Sequence, residues 1–248
     1  MRTTRSGARL FSALLDILFP PRCHVCREFI PDAGRIHLCV ACRAQLTPIG
    51  SPLCPCCGIP FTTVDGIDHP CGTCLATPPP FRASRSALLF AGPARELIHR
   101  LKYGGTVHHR RPLGLLTAEL LAPFAADRAP DLLVPVPLHV RRLRQRGFNQ
   151  AVLLGEVLGR EWGVPLAREV LRRIRWTEPQ VGLPAAERAD NVRGAFAVAD
   201  PIRVAGRRVM LVDDVCTTGS TLYECGRTLR KAGAAEVLAV TVARALDH

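Results

Sequence analysis

Four Cys-x-x-Cys turns fall between residues 23 and 74 of this 248-residue chain, at Cys23 and Cys26, Cys39 and Cys42, Cys54 and Cys57, and Cys71 and Cys74. Each such turn presents two sulfurs to one ion. The twelve residues between Cys26 and Cys39, and the thirteen between Cys57 and Cys71, are enough to bring a second turn opposite the first. Two all-thiolate zinc sites are therefore expected. Consecutive pairing of the turns is the simpler arrangement, with a cross-brace of first with third turn as the alternative. His24 and Cys56 sit inside these turns and are read as bystanders, since four thiolates already complete each site.

A disulfide framework would need an oxidising compartment, and the chain opens on a poor secretory signal. Arg2, Arg5 and Arg9 precede an apolar run over residues 10–19, but Asp16 interrupts it and no small-residue cleavage site follows. Leu10, Phe11, Leu14, Leu15 and Leu18 share one helical face, the pattern of a short amphipathic helix. A redox dithiol would need only one such turn, beside a βαβ unit. No window reaches the roughly 18 uninterrupted apolar residues of a membrane span, so a cytoplasmic protein without a span is expected.

Residues 1–80 are rich in proline, poor in aromatics and lack apolar periodicity, so metal must supply the stability that a core cannot. With every position filled by thiolate, both sites are structural. The segment carries seven basic and five acidic side chains. Eight thiolates holding two dications turn that small positive charge negative, so the ribbon is not a basic nucleic-acid finger. The net charge of +12 belongs to residues 81–248, which hold 26 basic and 16 acidic residues and ask for anionic partners.

Past Thr77 and three prolines the pattern changes to alternating strands and helices. Residues 87–91 and 132–134 read as strands, and residues 94–102, 113–122 and 149–162 as helices, the second stopping before Pro123. Residues 209–212 form a continuous apolar run suited to a central parallel strand. Asp213 and Asp214 follow, then Thr217, Thr218, Gly219, Ser220 and Thr221, a helix from 222 to 232, and a further strand over 237–242. A buried strand entering a hydroxyl-rich turn and a helix N-terminus makes a phosphate site. Two carboxylates at the strand's carboxyl end can accept hydrogen bonds from a diol or hold hydrated Mg²⁺. Together these groups suit a sugar phosphate.

Residues 209–221 resemble the phosphoribosyl pyrophosphate (PRPP) signature of type I phosphoribosyltransferases. With the cysteine turns, Leu101 to Tyr103, Val134 to His139, Arg146 to Gln150 and Asn191 to Phe196, the chain resembles the ComF family over residues 19–245. The resemblance implies an α/β fold, a Rossmann-like and mostly parallel type I phosphoribosyltransferase sheet in residues 81–248, behind a small N-terminal double zinc ribbon in residues 1–80. It implies that Asp213 and Asp214 meet the ribose hydroxyls of PRPP, directly or through Mg²⁺, and that Thr217, Thr218, Gly219, Ser220 and Thr221 cradle its 5′-phosphate. Pro135, Val136 and Pro137 would form the pyrophosphate loop. The cluster Arg141, Arg142, Arg144 and Arg146 follows as an anion clamp led by Arg146. Residues 175–194, with Arg175, Thr177, Gln180, Arg188 and Asn191, resemble a closing hood, and Arg188 joins Arg146 and the two aspartates as a candidate catalytic residue. Cys216 and Cys225 are expected to be buried packing residues, and His108 and His109 a polar loop.

Three functions follow from the resemblance. The first is phosphoribosyl transfer to an unidentified acceptor. The second is a competence role handling single-stranded DNA, with arginines around Phe148 and Trp176 interleaving with bases. The third is a PRPP- or nucleotide-sensing regulator without turnover.

Overall fold

The computed structural model describes residues 20–31, 34–63, 66–177 and 185–246. The amphipathic helix expected over residues 10–19 lies outside them. Continuous apolar runs suit strands covered on both faces, and two such runs form the centre of a four-stranded sheet. The strands in chain order are β1 (Ala83–Leu89), β2 (Leu132–Pro135), β3 (Leu171–Arg173), β4 (Phe196–Val198), β5 (Arg208–Cys216) and β6 (Glu236–Arg244). β1, β6, β5 and β2 lie side by side in that order, each neighbouring pair parallel, while β3 and β4 form a separate antiparallel pair. This is the mostly parallel sheet of a type I phosphoribosyltransferase fold, joined to a double zinc ribbon.

Side chains along the central strands alternate between two cores. Met210 and Val212 join Leu238, Val240 and Val242 on one face, and Val209 and Leu211 join Val237 and Ala239 on the other. The helices Gly92–Tyr103, Arg110–Leu120 and Gln150–Trp162 cover the first face through Leu97, Leu101, Leu113, Leu116, Leu154 and Leu158. The helix Ser220–Lys231 covers the second through Leu222, Cys225 and Leu229. Each fully buried leucine contributes about 1.5–3 kcal/mol.

Three boundaries differ from the sequence reading. The strand expected over 87–91 begins at Ala83 and ends at Leu89. Its first half looks polar in sequence, yet Ser84 and Ser86 are buried there, Ser86 Oγ meeting Thr241 Oγ1 at 2.7 Å and Ser84 N donating to Cys56 O. Pro123 does not follow a helix running to residue 122. The helix ends at Leu120 and Pro123 sits in the first turn of the next, Ala122–Arg128, where its missing N–H costs nothing. The third difference bears on the site: β5 does not stop at Val212 but continues through Cys216, because β6 pairs with it from Arg208↔Glu236 to Cys216↔Arg244. Asp213 and Asp214 are therefore strand residues rather than loop residues.

β1 is an edge strand, and a bare edge invites pairing with other chains. The ribbon covers it. Leu89 N donates to Thr47 O at 2.8 Å, Ile49 N to Ala87 O at 3.0 Å and Ser84 N to Cys56 O at 2.7 Å. Gly58 sits at φ +71, and a Cβ there would lie 2.4 Å from the Ser84 carbonyl oxygen, so glycine is required on both counts. The first ribbon shares the first core, to which Cys23, Ile30, Leu38 and Cys42 belong.

Candidate functional site

The eight cysteines converge as two groups, Cys23, Cys26, Cys39 and Cys42, and Cys54, Cys57, Cys71 and Cys74, with the sulfurs of each group within 4.8 Å of one another. Consecutive pairing is thus realised and the cross-brace is not. The Cys26–Cys39 and Cys57–Cys71 sulfurs are 3.7 Å apart. That is far beyond a disulfide bond and close to the ~3.8 Å edge of a tetrahedron with Zn–S bonds of about 2.3 Å. Backbone amides from Val25 and Cys39 donate to Cys23 Sγ at 3.4 Å, and Cys71 N donates to Cys54 Sγ at 3.3 Å. Burial alone would raise these two thiols, but such donors outweigh it and bring Cys23 and Cys54 down to about 6. Burial and neighbouring sulfurs hold Cys42 and Cys74 well above the ordinary thiol range. Four thiols that resist ionising together need a dication among them, and the chain forms two zinc-binding sites of four cysteines each. Cys56 stays outside both groups, and its carbonyl receives Ser84 N of β1.

At the carboxyl end of β5 the strand period sends the two aspartates to different environments. Asp214 is 3 % exposed. Its Oδ2 lies 2.8 Å from Lys102 Nζ, at an angle that leaves it without an aligned hydrogen bond among the described residues. Its Oδ1 accepts Val215 N at 2.8 Å. Asp213 is only partly buried, and its Oδ1 accepts Asp214 N at 2.9 Å. Burial, reinforced by the adjacent Asp214 charge, pushes Asp213 up to about 8. For Lys102, burial works against the ammonium, but the two aspartates outweigh it and hold its pKa above the ordinary lysine range. Two adjacent carboxylates, one of them paired with Lys102, can hold a divalent ion together with a phosphorylated ligand once Asp213 gives up its proton. Lys102 lies in the last turn of the helix Gly92–Tyr103. In sequence it stands out as one of two lysines among 33 basic residues and within the Leu101–Tyr103 segment of the family resemblance, but neither signal assigns it a role beside Asp214.

Beyond β5, residues 217–219 turn into the helix Ser220–Lys231. Gly219 holds φ +80, which a residue with a Cβ rarely adopts. Thr218 Oγ1 and Ser220 Oγ are 2.8 Å apart, with Thr221 in the helix's first turn. Hydroxyls, backbone amides and a helix N-terminus thus meet at one turn. On the other side, Pro135 closes β2 opposite Val212, and Val136 N donates to Val212 O at 2.9 Å. Pro135, Val136 and Pro137 therefore emerge next to Asp213. His139 caps the helix Val140–Arg146, its Nδ1 accepting Arg141 N at 3.3 Å.

Arg146 sits beside Tyr103, the residue after Lys102. Its guanidinium stacks on Tyr103 at 5.4 Å and donates to Gln150 Oε1 at 2.6 Å. Arg141 and Arg142 lie over Trp176 at 5.5 and 5.7 Å. Phe148, expected to interleave with bases, packs against the first core instead. Of the hood, Gln180 lies outside the described residues. Arg188 and Asn191 fall on the helix Ala185–Val192, the Arg188 side chain being outside the description. Thr177 is buried rather than exposed on a loop. Arg175 Nη2 donates to the carbonyls of Asn191 and Arg193, and Gly194 N donates to Glu224 Oε1 at 2.7 Å. The segment around Arg175 and Gly194 is thereby tied to the helix Ser220–Lys231. Cys216 and Cys225 are buried, as expected.

A cleft of about 740 Å³ opens between the turn at residues 217–219 and the second ribbon, lined by Thr217 to Ser220 on one wall and by Cys57, Cys71 and Cys74 on the other. Arg193, Arg227 and Arg244 also line it. The acid pair does not. The turn thus faces the second ribbon, while Asp213 and Asp214 lie outside that cleft.

Comparisons with known proteins match both parts of the chain. The double zinc ribbon domain family matches residues 14–75, and the phosphoribosyl transferase domain family residues 157–247. The DNA utilization protein YhgH of Escherichia coli K12 is 37% identical over 232 residues, covering 92% of this chain and 98% of its own. Competence protein F of Haemophilus influenzae is 34% identical over 235 residues, covering 90% and 97%. Competence protein ComFC of Bacillus subtilis is 30% identical over 224 residues, 84% of each chain.

Proposed function

The chain belongs to the ComF family, a double zinc ribbon joined to a phosphoribosyltransferase-type domain, and from that premise we propose that it binds PRPP at the carboxyl end of β5 and transfers its phosphoribosyl group to a nitrogen acceptor. The observation that carries this reading is the adjacent Asp213–Asp214 pair, with Lys102 Nζ 2.8 Å from Asp214, on the strand that enters the Thr217–Ser220 turn. Asp213 and Asp214 accept the ribose hydroxyls. The loop hydroxyls and the helix N-terminus hold the 5′-phosphate. The turn after Pro135 and the Arg146 side receive the pyrophosphate, whose departure builds negative charge that guanidinium groups stabilise. Mg²⁺, held by the aspartates and the ligand's own oxygens, would supply further charge neutralisation. The acceptor nitrogen forms the bond to the anomeric carbon, the bond from that carbon to pyrophosphate breaks, and the nitrogen's proton leaves to solvent. The hood helix Ala185–Val192, anchored through Arg175 and Glu224, would exclude water that otherwise hydrolyses the ribosyl centre.

Pyrophosphate release from PRPP with zinc-loaded full chain, across a panel of nucleobase and amine acceptors, tests the transferase reading. Acceptor-dependent release is expected. Tight binding with no release from any acceptor would favour a regulator. The competence and DNA-utilization names of the relatives support a second reading, a platform for single-stranded DNA on the basic helix Val140–Arg146 and Trp176. Oligonucleotide binding that weakens steeply with salt and is displaced by PRPP would place both ligands on one surface.

A further inference from the structure

His24, beside the first zinc ligand, and His108 and His109, after the helix Gly92–Tyr103, are in sequence terms a bystander and a polar loop. The structure brings them together. Their ligating nitrogens lie within 4.8 Å of one another, and the ring centroids of His24 are 5.5 Å from His108 and 5.4 Å from His109. His109 is fully buried, at 0 % exposure. Its Nδ1 faces two oxygens, Thr106 O at 3.1 Å and Thr106 Oγ1 at 2.8 Å, and that hydroxyl donates its own hydrogen to Arg100 O at 3.0 Å. Both oxygens accept, so Nδ1 carries the proton and Nε2 keeps its lone pair. Among the described residues that buried Nε2 has no hydrogen-bond partner. Burying such an acceptor unpaired is costly. An imidazole with Nδ1–H on a backbone carbonyl and a bare Nε2 is the oriented form in which histidine binds metals.

We propose that His24, His108 and His109 form a third metal site, for a divalent ion of the zinc class, at the seam between the first ribbon and the sheet domain. It is separate from the two thiolate sites and does not depend on the PRPP reading. Zn–N bonds of about 2.0–2.1 Å give a tetrahedral edge of about 3.4 Å, so the nitrogens need to close by at most ~1.4 Å. His24 is half-buried and His108 exposed, and both are free of packing on at least one side. Three neutral imidazoles suit zinc and leave a fourth position for water. Arg100 lies beside the group, donating to the carbonyls of His24 and Val25, and its charge is offset by its ion pair with Glu96. The ion would pin the turn Val107–His109, and with it the segment leading back to Lys102, onto the ribbon.

Metal content and cobalt titration of the tag-free full chain test this. Wild type should hold three zinc ions per chain after dialysis, and His108→Asn two. In the cobalt titration two equivalents should bring sulfur-to-metal charge transfer, and the third only weak d–d bands, absent from His108→Asn and His24→Asn. Since His108 is exposed, its variant should keep the wild-type circular dichroism spectrum and fill both thiolate sites, while melting somewhat below the metal-loaded wild type. Saturation of wild type at two equivalents would overturn the proposal, as would a third equivalent that persists in both variants.

Discussion

Replacing Lys102 with methionine removes the cation 2.8 Å from Asp214 while keeping most of the side chain's volume. The Asp214 side chain is 5% exposed and that of Lys102 19%, so solvent gives the remaining carboxylates little help. Breaking a buried ion pair by removing one partner costs about 3–5 kcal/mol. The residual exposure of Lys102 places this case near the lower limit, about 3 kcal/mol. For a chain of this size that is a fall in Tm of roughly 6–12 °C. Loss of the lysine raises the proton affinity of the acids in the folded state. The variant therefore binds more protons folded than unfolded, and its deficit relative to wild type grows as pH rises from about 5 to 8. Mg²⁺ should restore part of the loss by taking the lysine's electrostatic place. Calorimetric or fluorescence melting of zinc-loaded wild type and Lys102→Met at pH 5.5 and 7.5, with and without Mg²⁺, measures all three effects. A variant that melts within about 1 °C of wild type at both pH values would refute the reasoning.

Asp213, pushed up to about 8 by burial and by Asp214, must lose its proton to serve PRPP and Mg²⁺. Apparent affinity for Mg²⁺ and PRPP should therefore fall about tenfold per pH unit below ~8 and flatten above it, a dependence that Asp213→Asn removes; isothermal titration across pH 6–9 reads it. Chelating zinc should unfold both ribbons and bare the β1 edge, seen as lost thermal protection and concentration-dependent association by light scattering; a chelated chain that stays monomeric and melts unchanged would contradict the edge-covering role. Gly58→Ala forces a Cβ to within 2.4 Å of the Ser84 carbonyl oxygen at a positive φ. It should destabilise the chain by about 2–3 kcal/mol in denaturant melts while leaving the zinc ligands in place.

The parts of the molecule that are legible in the sequence are those that local spacing encodes. Cysteine turns announce a thiolate site because two sulfurs must come from one turn, and the apolar runs of β5 and β6 announce central strands because both faces are covered. The turn after Cys216 is legible because Gly219 supplies the positive φ, and the short hydroxyl side chains suit the start of the next helix. The rest depends on long-range pairing. Ser84 and Ser86 make the start of β1 look like a loop until Thr241 and Cys56 supply partners. Lys102 meets Asp214 across more than a hundred residues, which no periodicity records. His109 stands before two arginines in sequence, as a solvent-facing residue would, yet is buried because Thr106 satisfies one ring nitrogen and the first ribbon closes over the other side.

Everything proposed for the sheet domain rests on a PRPP site built by Asp213 and Asp214. The most direct test is titration calorimetry of PRPP with Mg²⁺ into zinc-loaded full chain, wild type against the Asp213→Asn, Asp214→Asn double variant, with matched melting curves to confirm folding. Wild type should bind one PRPP per chain, and the double variant should lose at least about tenfold in affinity, the loss of one or more charge-assisted contacts. Equal affinity in a folded double variant, or no binding by wild type, would contradict the site.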